Sequence, residues 1–208
     1  MTHQVPFLDW LETGAVTPIT PDMIAAKLDH DPQQVRSIGL NGWGCLHVAA
    51  YNCKGSMTDG EILAVVQLLV DRGADRDHLD VKGRRAACYA AEKGLPDTMA
   101  LLMQSAVHTD AIRSISAQTP AGLNLFHYAA VSCNAQVVER LVSFFPRDGA
   151  GLAQLNDAVN AATRQRDIAA HYAARSGSQD VLAALERHGS LPGQNRARQT
   201  PRDILPLA

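Results

Sequence analysis

The chain has 208 residues, is 46% hydrophobic but only 5% aromatic, and carries a net charge of −2. That composition allows a packed core of Ala, Leu, Val and Ile, and excludes a global electrostatic case for nucleic acid or an anionic membrane. No apolar run approaches the ~18 residues that span a bilayer. Cys45, Cys53, Cys88 and Cys133 have no CxxC pairing and Met1–Leu11 does not read as a secretory leader, so reduced thiols and a cytoplasmic setting are expected.

Residues 1–40 read as an N-terminal helical cap. Val5–Glu12 is a short amphipathic lead-in, and Thr20–Ile38, with Thr20-Pro21 and Ala25-Ala26, reads as a degenerate repeat. From residue 41 onward a pattern recurs. Leu46-His47-Val48-Ala49-Ala50, Ala87-Cys88-Tyr89-Ala90-Ala91, Phe126-His127-Tyr128-Ala129-Ala130 and Ala170-His171-Tyr172-Ala173-Ala174 share one ending, and Thr200–Leu205 is a frayed fifth copy. From His47 the steps to Cys88, His127, His171 and Asp203 are 41, 39, 44 and 32 residues. A unit of this size marks a solenoid, whose extended surface suits holding another macromolecule.

Within each unit the Ala-Ala pair lets a first helix approach its neighbours closely. Gly94 and Gly177 stop first helices in a left-handed conformation. Pro96 suits the first position of the following helix and Ser178 its N-cap. Leu63, Val66, Leu69 and Val70 form an apolar stripe on a second helix. Only Thr200-Pro201 keeps a Thr cap, so four caps are expected to be missing at ~1 kcal/mol each. The longer intervals imply insertions near Cys53–Gly60, Val107–Ala117 and Arg147–Asn160, read as loops that either bind or have drifted.

These motifs resemble the ankyrin repeat. The resemblance rests on Gly42, Leu46-His47, Ala49-Ala50 and Gly73-Ala74-Asp75 in the first unit, on Asp80, Gly83 and Leu101-Leu102 in the second, on Gly122 and Val137-Val138 in the third, and on Val181 and Gly189 in the fourth. It implies an all-α solenoid of helix-turn-helix units over 41–208, four full and one partial, with short hairpin loops between them. It also implies that the aligned histidines tie neighbouring turns together through backbone hydrogen bonds.

Equivalent positions in adjacent repeats lie ~8–10 Å apart, too far for His47, Cys88, His127 and His171 to share one zinc ion. Cys88 sits where burial is expected, and a buried thiol is inert. No phosphate-cradling glycine motif, HExxH or GxSxG is present. The chain therefore reads as a non-catalytic module with no cofactor, and a monomer is expected.

The resemblance places a protein partner on the concave face, formed by the hairpin tips and the residues after Ala-Ala. Carried over, the contact positions are Trp43, Tyr51, Asn52, Lys82, Arg84, Lys93, Leu123, Arg164 and Arg175. Trp43 has two readings, an exposed anchor or a side chain folded onto the N-terminal cap. The basic lean of the set favours an acidic partner, with Lys82–Arg84 as its tip. Two other roles stay open, a bacterial effector or toxin-associated protein acting in a host cytosol, and an enzyme with its chemistry in the inserted loops.

Overall fold

The computed structural model describes residues 8, 11, 20–39, 41–51, 58–104 and 108–205. The described part is all-helical, as the repeat pattern requires. Helix α1 is Pro21–His30, followed by a 3-10 turn at Pro32–Arg36. Four helix pairs follow: α2 (Cys45–Tyr51) with α3 (Asp59–Asp71), α4 (Ala86–Glu92) with α5 (Pro96–Met103), α7 (Leu125–Val131) with α8 (Ala135–Val142), and α10 (Ala169–Arg175) with α11 (Gln179–Arg187). Helix α6 (His108–Ser116) and helix α9 (Gly149–Val159) stand between pairs, and α12 (Pro201–Ile204) ends the array.

The pairs stack in two layers. First helices α2, α4, α7, α10 and α12 pack one on the next, and second helices α3, α5, α8 and α11 do the same. Ala50, Ala90, Ala91, Ala129, Ala130, Ala173 and Ala174 have no exposed surface, which puts the small residues at the helix contacts. The buried stripe of α3 is Ile62, Val65, Val66 and Leu69, while Leu63 and Val70 are only half-buried. Val66 and Leu69 belong to both the expected and the buried stripe, and Ile62 and Val65 are buried in place of Leu63 and Val70.

Three sequence expectations change. The Thr20-Pro21 and Ala25-Ala26 likeness to a first helix does not carry into packing. Helix α1 lies against α3, in the layer of second helices, and buries Ile24 and Leu28 while Ala26 faces solvent. The insertions near Val107–Ala117 and Arg147–Asn160 are mostly helix. Helix α6 buries Ala111, Ile112 and Ile115 and packs on α7, and α9 buries Leu155, Ala158 and Val159. Burying an Ile or Leu gives about 1.5–3 kcal/mol, which helps offset the ordering of the added residues. Most of the third insertion, near Cys53, lies outside the described residues, but Asp59 and Gly60 already belong to α3.

The third change concerns caps. Asn124 caps α7, accepting from His127 N, so that cap is kept in another form. Arg85 and Ile168 offer no side-chain cap, and neither does Ser178. For α5 the cap comes from the preceding unit: Asp59 accepts from the backbone N–H of Asp97 and Thr98 and from the Thr98 hydroxyl, at 3.0, 3.2 and 2.6 Å. Gly94 and Gly177 adopt φ of +77° and +73° at the ends of first helices, and Cys133 holds the same position in the third unit at +57°. There are no strands among the described residues, only one isolated bridge between Ile38 and Gly44.

Candidate protein-binding face

Five turns precede the first helices, and each has the same construction. The backbone N–H of Gly39, Asp80, Thr119, Thr163 and Asn195 donates to the carbonyl of Trp43, Arg84, Leu123, Asp167 and Gln199, respectively. These positions recur at the intervals of the His motif. In the last four turns the opening side chain closes the loop. Asp80 Oδ1 accepts from Lys82 N and Arg84 N, Thr119 Oγ1 from Leu123 N, Thr163 Oγ1 from Asp167 N, and Asn195 Oδ1 from Ala197 N and Gln199 N. Short oxygen-bearing side chains do this best. Neighbouring tips touch: Val81 N donates to Asn41 O, and Arg196 N to Gln165 O.

The aligned histidines join the first, third and fourth units to the turn that follows each. His47 Nδ1 accepts from Gly44 N, His127 Nδ1 from Asn124 N and His171 Nδ1 from Ile168 N. That fixes the proton on Nε2. Nε2 then donates to Arg84 O at 3.0 Å, Asp167 O at 3.4 Å and Gln199 O at 3.0 Å. Burial pushes the His127 pKa down to about 4 and lowers that of His47 as well, so the bonded state is the neutral ring. The expected backbone partners are all present. In the second unit Cys88 takes the His position, and burial lifts its thiol to about 11. Cys45 is lifted to about 12 and donates to Val35 O. Both are poor nucleophiles, and Cys45, Cys88 and Cys133 are free thiols.

Around the second turn the side chains interlock. Trp43 meets Tyr51 and Tyr89 edge-on at 4.9 and 5.0 Å between ring centres, and Tyr51 meets Tyr89 at 5.6 Å. Trp43 is half-buried and lies against these two tyrosines of the first helices. Arg84 sits 4.3 Å over Tyr89 and Lys93 4.4 Å over Tyr51. Arg84 Nε also pairs with Asp80 Oδ2 at 2.9 Å, and the Tyr89 hydroxyl donates to the same oxygen at 2.7 Å. Burial raises the Asp80 pKa, but hydrogen bonds from Tyr89 and Arg84 outweigh it and hold the carboxyl below its ordinary value. The Arg84 side chain keeps only 17% of its surface, and that of Asp80 none.

A second knot lies at the fourth turn. Arg175 grips Asp167 through both nitrogens at 2.8 and 2.9 Å, and Asn195 Nδ2 donates to Asp167 Oδ1 at 2.9 Å. Burial raises the Asp167 pKa, while Arg175 and then Asn195 bring it below normal.

The expected contact positions therefore divide. Lys82, Lys93 and Arg164 are exposed. Trp43, Tyr51 and Leu123 are half-buried and packed on the core. Arg84 and Arg175 are bound internally, and Asn52 lies outside the described residues. Sequence reasoning missed Asp80, Asp167 and Asn195 as the anchors of the turns. For Asp80 and Asn195, as for Thr119 and Thr163, the signal was an oxygen-bearing residue four before the end of each of the last four turns, whereas Asp167 is itself a turn's end. A cleft of 370 Å3 between the 3-10 turn and the first unit is lined by His47 and His78, among others. Its histidines already engage the carbonyls of Arg84 and Gly42. Among the described residues no three His, Cys, Asp or Glu side chains converge as a metal site requires.

Stacked helix pairs whose turns project between units define a helical repeat array. Residues 41–81, spanning α2, α3 and the start of the second turn, match the ankyrin repeat family model. The three later pairs repeat the same two-layer construction. No curated protein matches the chain. No described helix is long and apolar enough to cross a membrane.

Proposed function

We propose that the chain is a non-catalytic protein–protein interaction module. Residues 1–40 form the cap and residues 41–208 the repeat array. The protein acts as a cytoplasmic monomer and holds one protein partner on the concave face made by the turn tips and the C-terminal ends of the first helices. Trp43 and Tyr51 form the apolar centre, with Lys82, Lys93, Leu123 and Arg164 around it. Arg84 and Arg175 shape that surface from within. The observation that carries this reading is the half-buried pair Trp43 and Tyr51, packed on buried Tyr89, with Lys82 and Lys93 exposed on the same two units. Partly desolvated aromatics beside cations are the usual material of interface hot spots.

The test is affinity capture followed by titration of the isolated partner. Trp43→Ala should weaken binding by about 2 kcal/mol, roughly thirtyfold. Lys82→Glu should slow association with an acidic partner, with an effect that shrinks as salt rises. Gln67→Ala on the exposed side of α3 should do nothing. Normal binding by folded Trp43→Ala and Lys82→Glu proteins would move the site elsewhere.

A further inference from the structure

The turns Thr163–Asp167 and Asn195–Gln199 break a local rule that the others keep. In the first three turns the left-handed corner is Gly42, Gly83 or Gly122, at φ +70°, +71° and +85°. In the last two it is Arg166 at +62° and Arg198 at +60°. An L-residue in that conformation is disfavoured by the contact of its Cβ with the backbone, so two successive turns hold arginine against backbone preference.

Charge adds a second anomaly. Arg164, Arg166, Arg196 and Arg198 are all exposed. Among the described residues none of the four forms an ion pair; Arg36, Arg76 and Arg147 lack one too but are scattered along the chain, whereas Arg72, Arg85, Arg113, Arg140, Arg187 and Arg202 each find a carboxylate. The two turns are joined by Arg196 N donating to Gln165 O at 3.0 Å, and Arg164 and Arg166 flank Gln165. Four guanidinium groups are thus carried by two bonded turns, on a chain whose net charge is −2. The carboxylate nearest in sequence, Asp167, is buried and already held by Arg175 and Asn195. Like charges gathered on two adjoining turns repel one another, so nothing in the isolated chain accounts for gathering them.

We infer that these two turns are a docking site for an acidic segment of the protein partner, a run of Asp and Glu side chains lying across both tips. The inference rests on the protein-binding reading; its surface shares Arg164 with the one proposed above but does not include Trp43. Arginine's planar fork accepts carboxylates in a two-point contact that lysine does not match. The tips are exposed along their length, from Arg164 to Arg166 and from Arg196 to Gln199, which suits an extended chain. A long nucleic acid would leave the patch and meet a surface of net negative charge.

The experiment is fluorescence anisotropy on the full chain, with a short labelled peptide of alternating Asp and Glu. Its Asn/Gln counterpart is the reference, and inorganic phosphate and a single-stranded DNA oligonucleotide are competitors. The acidic peptide should bind at least about tenfold tighter than the amide peptide, with affinity falling as salt rises. Arg164→Glu/Arg166→Glu should remove that preference, and so should Arg196→Glu/Arg198→Glu. Arg36→Glu/Arg147→Glu, which reverses two other exposed arginines, should keep it. Trp43→Ala should also keep it, so a failed central patch and a failed arginine patch give different results. Equal affinity for the two peptides, equal loss in the control, or displacement by phosphate or DNA at lower concentration than by unlabelled acidic peptide would each overturn the inference.

Discussion

The turn Asp80–Arg84 and the pair of turns Thr163–Asp167 and Asn195–Gln199 are built on one backbone plan and treat charge in opposite ways. At the first, Arg84 folds back onto Asp80 and Tyr89, and a glycine occupies the left-handed corner. At the other two, arginines fill the corner and four cations stay unpaired. Lys82 and Arg84 look like the basic tip when residues are counted along the chain. Pairing inverts that picture, because a guanidinium already bound to a buried carboxylate offers little to a visitor. Basic composition and available positive charge are different quantities, and only the second attracts a partner.

The largest effect that would break this comparison is on stability. Arg84→Glu leaves Asp80 buried opposite another carboxylate, and removing one partner of such a pair costs about 3–5 kcal/mol. Arg175→Glu should cost less, about 1–2 kcal/mol, because the Arg175 side chain is 43% exposed and screened by solvent. Arg166→Glu breaks no internal pair and should stay within about 0.5 kcal/mol. Urea unfolding of the three variants ranks them, and a mild Arg84→Glu would show that this turn does not depend on its ion pair. For the same reason Arg84→Glu is a poor probe of binding, and Lys82→Glu serves instead.

Acid should sharpen the contrast next. His127 is held neutral, with its pKa lowered to about 4 from 6.5. The unfolded chain therefore takes up the proton first as pH falls, and stability present above 6.5 is lost down to about 4, in total about 3 kcal/mol. His47 adds loss in the same direction. The Asp80 and Asp167 carboxyls, held below normal, add a further loss only at lower pH, once they too are protonated. Urea midpoints at neutral and mildly acidic pH should fall accordingly in the wild type, and His127→Gln should flatten the fall. An unchanged slope in that variant would assign the acid sensitivity to other groups.

The smallest effect carries an opposite sign. Arg166→Gly restores the residue that the earlier turns use, so it should stabilise by up to about 1 kcal/mol after allowing for the freer unfolded chain. It should also weaken the acidic peptide. A gain in thermal midpoint together with a loss of binding would show backbone strain retained alongside a recognition role, and a loss of stability would mean the corner is not strained.

Much of the fold was legible because it is periodic. The Ala-Ala pairs, the aligned histidines and their uneven intervals mapped onto helices and turns, since close packing and a repeated backbone bond demand the same residue each time. The N-terminal register was misread because Thr20-Pro21 satisfies a helix start of any kind, whereas layer assignment depends on which face is buried. The insertions near Val107–Ala117 and Arg147–Asn160 were located but read as loops, because α6 and α9 have no counterpart in the motif. The site was legible only in outline. Lys82 is exposed and Trp43 half-buried, but the pairing of Asp167 with Arg175 runs eight residues along the chain, from a turn to the far end of a helix. No local pattern announces such a contact.

The histidine bonds have one gap. They link the first unit to the second, the third to the fourth and the fourth to the closing turn, but Cys88 leaves the turn side of the second-to-third junction without that tie. On the opposite side this junction is still clasped, by Asn134 to Gly94 O and by Arg140 to Asp97. First helices α4 and α7 still pack directly on one another at this junction. On the turn side, among the described residues, close packing alone therefore joins the units that bear the aromatic group to the units that bear the unpaired arginines.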